Sequence, residues 1–452
     1  MNKDVFIEKL LERAYSKGVG SAEVYLSENK KLSVQIFDGK VDKYQVSEGC
    51  GLGFRIEVGK QIGYSYTEIF DEKNIPFLIE SAIDNATLLE REEVETIFEG
   101  SEKYSKLVAE DKDFAVENIE SNRKIDDLLN IEKHIRDKYD KIDSIPYLGY
   151  SEVQYGVHIK NTEGLNLKYN NSYGYRMLQV VSKDKEQAFS KYGYQLIKDY
   201  NNSNNIDLAD KISKECIEKN DSKPIKSGEY KVVFDSECMS DLLSAFTNSF
   251  SAERVQKHLS FFENKLNDKV ASDKIQIIDD PFFEKAYVKR IFDDEGVAMY
   301  RKQLIKDGVL VDFMHNRKTA EKWGVKSTGN GAKSGYKGVL GVSHSNFYIE
   351  PGKHSKEDML KEDTVLLIKE LEGLHAGLNG ITGDFSLSAQ GILYENGIRK
   401  HSVNQITVAG NFFDMLKNVD MIGSDFFINV PGQLGSVGAP IIKFNKLQIS
   451  GE

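Results

Sequence analysis

The chain has 452 residues, 40% hydrophobic and 29% charged, which exceeds one ordinary core and suits a globular protein of two or three domains. Its formal charge of −11, from 71 acids against 60 bases, comes without any basic stripe interleaved with aromatics, so phosphate-driven binding to nucleic acid is disfavoured. No window approaches the roughly 18 apolar residues of a membrane span, and Cys50, Cys216 and Cys238 are scattered without CxxC spacing, so neither a membrane protein nor a disulfide frame is expected and the expected location is the cytoplasm.

In chain order, MNKDVFIEKLLERAYSKG (1–18) predicts a charged amphipathic helix striped by Val5, Phe6, Leu10, Leu11 and Ala14, without the apolar core of a signal peptide. Alternation of period two follows from Ala22 to Ile36, and FDGK (37–40) predicts a hairpin turn. A second pair of strands spans Leu52 to Tyr66, then a helix is expected over 71–90 and an acidic linker over 91–112. A long helix at about 115–139 precedes tyrosine-rich strand patterns over 144–197. Those tyrosines invite a ligand-stacking reading, but aromatics are also good formers of half-buried strands, and that simpler reading is preferred. A helix over 206–219 and the polar break KNDSKPIKSGEY (219–230) make the best domain boundary.

Beyond Lys231 come glycine-rich turns and short strands, with hairpin signals at IKDGVLVDF (305–313) and YENGIRKHSV (394–403). Two helices interrupt them, one near 236–250 and one at 355–362 capped by Ser355. The fold class is therefore α+β: an N-terminal region of antiparallel sheet plus helices over 1–222, with sub-segments of about 1–90 and 113–222, and a β-rich C-terminal domain with a few helices over 223–452.

VVFDSECMSDLLSAFTNSF (232–250) runs from an apolar strand into an amphipathic helix capped by Asp235 or Ser236. Met239, Leu242, Leu243, Phe246 and Phe250 take one side, and Ser244, Thr247, Asn248 and Ser251 the other. Elsewhere the chemistry is sparse. The glycine clusters at 49–63, 327–335 and 432–440 lack the strand–loop–helix setting of a phosphate loop and read as tight turns. None of the eight histidines is followed by Glu, so no HExxH or HExxxH exists. The acids of IIDDPF (277–282) and FDDEG (292–296) can offer oxygens to a divalent cation, but Asp before Gly or Pro is ordinary turn chemistry and that reading is preferred.

FDDEGVAMYRKQLIKDGVLVDFMHNRKTAEKWG, STGNG, NFYIEPG, the segment from ITGDFSLSAQG through DMIGSD, and SVGAP, taken in order, resemble the TldD/PmbA family, whose members carry the label modulator of DNA gyrase. SAEVYLSENKKLSVQIFDGKVDKYQVSEGCGLGFRIEVGKQIGYSYT resembles that family's first domain. The TldD branch of this family has an HExxxH helix after a VV strand and a C-terminal cysteine, which together hold zinc. The PmbA branch, also called TldE, lacks them and pairs with the first as a metallopeptidase. Aligning Val232-Val233 and Leu242-Leu243 puts the motif on Ser244, Ala245 and Ser249, and no cysteine follows Cys238. The resemblance implies a PmbA/TldE-like chain with no catalytic residue and no metal ligand of its own, inactive alone. Zinc is expected only in a TldD-type HExxxH partner, and the substrates are flexible peptides such as a microcin leader or an antitoxin. Ser244, Ala245, Asn248 and Ser249 then line a substrate chamber. The alternatives are a free-standing peptide-binding or regulatory homodimer, and an independent hydrolase built on the Asp280 or Asp294 carboxylates.

Overall fold

The structure, a computed structural model, describes residues 1–59, 61–88, 96–106, 116–184, 187–197, 199–201, 203–362, 364–432 and 434–452. The first half contains α1 (Lys3–Ser16), β1 (Ala22–Phe37), β2 (Lys40–Val58), β3 (Gln61–Thr67), α2 (Ile75–Leu88), α3 (Ser121–Lys138), β4 (Ile142–Asn161), β5 (Asn166–Asp184), β6 (Gln187–Ile197) and α4 (Asn205–Glu218). The helix expected over 71–90 begins with a 3₁₀ turn at Glu72–Asn74, and its last two residues lie outside the described ones. The described part of the expected linker, 96–106, has no helix or strand and is docked on the other half: Tyr104 donates to the Gly296 carbonyl at 2.7 Å and the Ser101 hydroxyl accepts from the Ala298 amide at 2.9 Å.

The six strands form one antiparallel sheet ordered β3-β2-β1-β4-β5-β6. The two sub-segments are thus joined by β1 and β4, paired from Glu23↔Asn161 to Ile36↔Leu148. Because side chains alternate along a strand, the even-numbered residues of β1 all face the helices. Val24 and Leu26 pack under α1 and α2, and Leu32, Val34 and Ile36 pack under α3 and α4. Among the described residues, no helix of this half covers the odd-numbered face.

The second half comprises β7 (Gly228–Phe234), α5 (Ser236–Phe246), α6 (Ala252–Gln256), β8 (Ile277–Asp279), β9 (Lys302–Lys306), β10 (Val309–Leu310), α7 (Arg317–Trp323), β11 (Gly331–Ala332), β12 (Gly341–Val342), β13 (Phe347–Ile349), α8 (Lys356–Leu360), β14 (Val365–Glu372), β15 (Asp384–Glu395), β16 (Ile398–Asn411), α9 (Phe412–Lys417), β17 (Val419–Ile428) and β18 (Val437–Ser450). Pairings β7–β14, β14–β15, β15–β16, β16–β18 and β18–β7 close on themselves, which leaves these five strands without a free edge along that ring. The mixed α+β architecture is as expected, with antiparallel sheets and flanking helices.

All three hairpin turns expected from D-G or N-G pairs form, each with both residues in the left-handed region: Asp38 and Gly39, Asp307 and Gly308, Asn396 and Gly397. The glycine cluster in β2 has a packing role. A Cβ on Gly51 would lie 2.2 Å from the Tyr336 ring, and one on Gly53 would lie 2.5 Å from the Tyr336 carbonyl. Their absence lets a loop of the second half lie flat on the first sheet. Tyr25, Val157, Ile159, Leu165, Tyr169, Val288 and Phe292 fill the seam between the halves.

Candidate functional site

The strand β7 delivers its chain into α5 at Asp235, whose carboxylate accepts from the Glu237 amide at 3.4 Å and pairs with Lys369 at 2.8 Å and Lys356 at 3.5 Å. Burial opposes ionisation there, yet Lys369 and Lys356 hold the carboxyl far below the usual range. Met239, Leu242, Leu243, Phe246 and Phe250 are completely buried in the second core, and Phe246 stacks on Phe412 at 4.4 Å. The apolar stripe is as read from the periodicity.

The opposite side differs from expectation. Its exposed or half-buried stripe is Glu237, Asp241, Ser244 and Asn248, spaced by one helical turn, with Ala245 half-buried beside it. Thr247 and Ser251, expected on this face, are buried. The reason is a tightening of the helix: Thr247–Phe250 is 3₁₀, and the Thr247 hydroxyl donates back to the Ser244 carbonyl at 3.1 Å. Ser249 is consequently turned inward at 1% exposure, its hydroxyl donating to the Gly380 carbonyl at 3.2 Å and its carbonyl accepting from Ser260 at 2.6 Å. The four expected chamber positions are therefore split: Ser244 and Asn248 face outward, Ala245 is intermediate and Ser249 belongs to the interior.

Opposite α5 stands the helix-free face of the first sheet. Register places Tyr147 beside Gln179, Gln179 beside Tyr192, Met177 beside Tyr194 and Ser151 beside Tyr175, all on that face. Tyr173 stacks on Tyr175 with centroids 6.4 Å apart and donates to the Pro431 carbonyl at 3.0 Å. Tyr194 packs edge-on against Phe427 at 5.5 Å, and its hydroxyl lies 3.4 Å from the Asn429 side chain. Asn429 in turn neighbours Asp241 and favours its ionised form. Burial, and then the neighbouring Glu237 carboxylate, push Asp241 up to about 6. Burial with the same two carboxylates raises the Tyr194 phenol, and Tyr192 is raised by burial, by Tyr147 and Tyr175, and by Glu237. The result is a cleft with a tyrosine wall, an acidic helix stripe and an Asn429–Pro431 rim. Of the tyrosines read as ordinary strand residues, Tyr147, Tyr173, Tyr175, Tyr192 and Tyr194 thus gather on one face, while Tyr150 is buried under the helices and Tyr155 and Tyr169 pack in the seam. Glu237 and Asp241 were missed, although their spacing to Ser244 and Asn248 was visible in the chain.

The other acidic motifs serve structure. Asp279, completely buried, binds Lys302 at 2.8 Å, Asn330 at 2.9 Å and the Ser345 amide at 2.6 Å, and Asp280 caps the Phe282 amide at 2.8 Å. Asp293 accepts from the Glu295 and Val297 amides at 2.9 Å and the Gly331 amide at 2.7 Å. Asp294 binds Arg290 and Tyr25, each at 2.9 Å. These are turn and seam contacts, in line with the preferred reading of both segments. Among the described residues no group of three or more His, Cys, Asp or Glu side chains could hold a metal ion. At the aligned zinc-motif positions the donor set does not fit zinc either. Such a centre needs lone-pair nitrogens or carboxylates converging with an open position, whereas Ala245 has no donor and the Ser249 hydroxyl is committed to Gly380. No helix among the described residues is long and apolar enough to cross a membrane.

Comparison with known proteins agrees with this architecture. Residues 22–86 match the PmbA/TldA metallopeptidase domain 1, 115–220 its central domain and 227–451 its C-terminal domain. Metalloprotease MJ0996 of Methanocaldococcus jannaschii is 28% identical over 96% of this chain and 95% of that protein. Metalloprotease PmbA of Escherichia coli O157:H7 is 34% identical over 47% of this chain and 45% of its own length. Among solved structures, a candidate modulator of DNA gyrase from Thermotoga maritima superposes with a TM-score of 0.89 at 29% identity, covering 99% of this chain and 100% of that one. TldE from Thermococcus kodakarensis shares the fold with the same TM-score at 22% identity, covering 99% and 100%. The three domain matches run from the first sheet through the closed strand ring, and the chain belongs to the TldD/PmbA family.

Proposed function

We propose that the chain is a PmbA/TldE-type subunit of a peptidase complex, supplying a substrate-holding wall while an HExxxH-bearing partner of the same family supplies zinc and the hydrolytic step. The observation that carries this reading is the α5 stripe: at the place where a catalytic sibling needs two imidazoles and a carboxylate, this chain presents Ser244, Ala245 and an inward Ser249. Relatives named as metalloproteases across most of the chain support the connection to peptide hydrolysis. The cleft suits an extended peptide, because serine and asparagine side chains serve backbone N–H and C=O groups and half-buried tyrosine rings accept side chains of any kind.

The test is metal content and activity of the isolated chain. Elemental analysis should find zinc far below one equivalent, and incubation with unfolded peptides should release no fragments. Stoichiometric zinc together with peptide cleavage abolished by EDTA would overturn the proposal.

A second reading, a free-standing peptide-binding homodimer, draws on the fact that the tyrosine wall and the α5 stripe both belong to one chain. The two part company in a native extract: a co-eluting HExxxH paralogue supports the first, and its absence the second.

A further inference from the structure

The cleft between α5 and the open sheet face has a chemical bias that extends beyond holding a peptide backbone. We infer that it selects a cationic side chain, lysine or arginine, seated on the tyrosine wall and facing Asp241. This rests on the proposal that the cleft receives peptides.

Three independent observations converge. First, four tyrosines from three adjacent strands, Tyr147 on β4, Tyr175 on β5 and Tyr192 and Tyr194 on β6, share one face by register. Tyr192 remains 48% exposed, so ring surface is available for contact. The negative faces of such rings attract ammonium and guanidinium groups more than neutral side chains. Second, Asp241 is half-buried beside the neutral Asn429 and forms no ion pair among the described residues, Lys191 acting on it only through space. A carboxylate in that position has lost water without gaining a cation, and a bound ammonium would restore the balance. Third, the nearest cations are spoken for. Lys191 is bound to Glu370 at 2.9 Å and Glu215 at 3.4 Å, and Lys211 sits 3.8 Å from Glu237.

The seam chemistry offers a useful contrast. There Arg290 already stacks over Tyr169 at 5.1 Å while pairing with Asp294, so the molecule itself satisfies an aromatic-plus-carboxylate site with an internal arginine. At the cleft, Asp241 has no such paired cation among the described residues.

The test uses the full chain and fluorescein-labelled unfolded decapeptides that differ at one central residue, lysine or norleucine, read by fluorescence anisotropy. A third peptide carries its single lysine at the terminus. The lysine peptide should bind about tenfold tighter than the norleucine peptide, from one charge-assisted contact plus one ring contact. Asp241→Asn and, separately, Tyr192→Ala should each bring that ratio towards one. Equal affinity for the lysine and norleucine peptides would overturn the inference while leaving the peptide-holding proposal intact. An equal gain from the terminal lysine would also overturn it, because general attraction to an acidic surface then explains the effect. Failure of every peptide to bind would overturn both.

Discussion

The hydroxyl of Tyr25, on β1, donates to Asp294 Oδ1 at 2.9 Å across 269 residues of sequence, in a fully buried seam. Asp294 also takes Arg290 at 2.9 Å and the Lys333 amide at 2.8 Å, so one carboxylate ties the first sheet to two loops of the second half.

Removing that carboxylate should therefore be far more damaging than removing the hydroxyl. Asp294→Ala leaves Arg290, itself completely buried, without its counter-charge, and a cost of about 3–5 kcal/mol is expected. Tyr25→Phe removes one hydrogen bond and should cost about 1 kcal/mol. Urea denaturation of the two variants checks the ranking; equal losses would contradict it.

The same seam carries a pH signature. Burial, then the neighbouring Glu295, push Asp293 up to about 8, far above the ordinary carboxylate value. The folded state thus favours the protonated acid. Its stabilisation is full below the unfolded carboxylate range, near pH 4, and is lost progressively as pH rises to about 8. Thermal melts should show Tm falling across that window. Glu295→Gln removes the like charge while retaining an acceptor for the Arg317 amide, so the slope should flatten in that variant. An unchanged slope would show that Glu295 is not a cause.

Two glycines of β2 predict different rescue behaviour. Gly51→Ala meets the Tyr336 ring, whereas Gly53→Ala meets the Tyr336 backbone carbonyl. Each should lower stability by about 1–3 kcal/mol through overpacking. Adding Tyr336→Ala should recover most of the loss at Gly51 and none of it at Gly53, as read from Tm.

At the zinc-motif positions, ligand types alone should not rebuild a centre. Ser244→His projects outward and should be tolerated within about 0.5 kcal/mol. Ser249→His must fit a 1% exposed position and break the bond to Gly380, for an expected loss of about 1–3 kcal/mol. The triple variant Ser244→His, Ala245→Glu, Ser249→His should bind no stoichiometric zinc; full occupancy by elemental analysis would contradict the inward placement of residue 249.

What was legible in the chain was what local physics controls. The turns at Asp38-Gly39, Asp307-Gly308 and Asn396-Gly397 form because two adjacent residues must adopt positive φ, a demand that those pairs meet. The apolar side of α5 was legible because its five residues repeat at helical spacing. The inward rotation of Ser249 was not, since it depends on a 3₁₀ turn held by Thr247 and on Gly380, 131 residues away. The tyrosine wall was equally hidden: Tyr147, Tyr175 and Tyr192 become neighbours only through the register of β4, β5 and β6. Asp241 and Glu237 were a different matter, because the spacing 237, 241, 244, 248 marks one helix stripe that includes the positions already singled out.

The central claim, that this chain holds peptide while a partner cuts it, is tested most directly by reconstitution. Purified chain and an HExxxH-bearing family member from the same cell are assayed on an unfolded peptide separately and together, with fragments followed by mass spectrometry. Cleavage is expected from the mixture alone, abolished by EDTA, with both proteins co-eluting on size exclusion. Cleavage by this chain without the partner, or full activity of the partner with no association between the two, would contradict it.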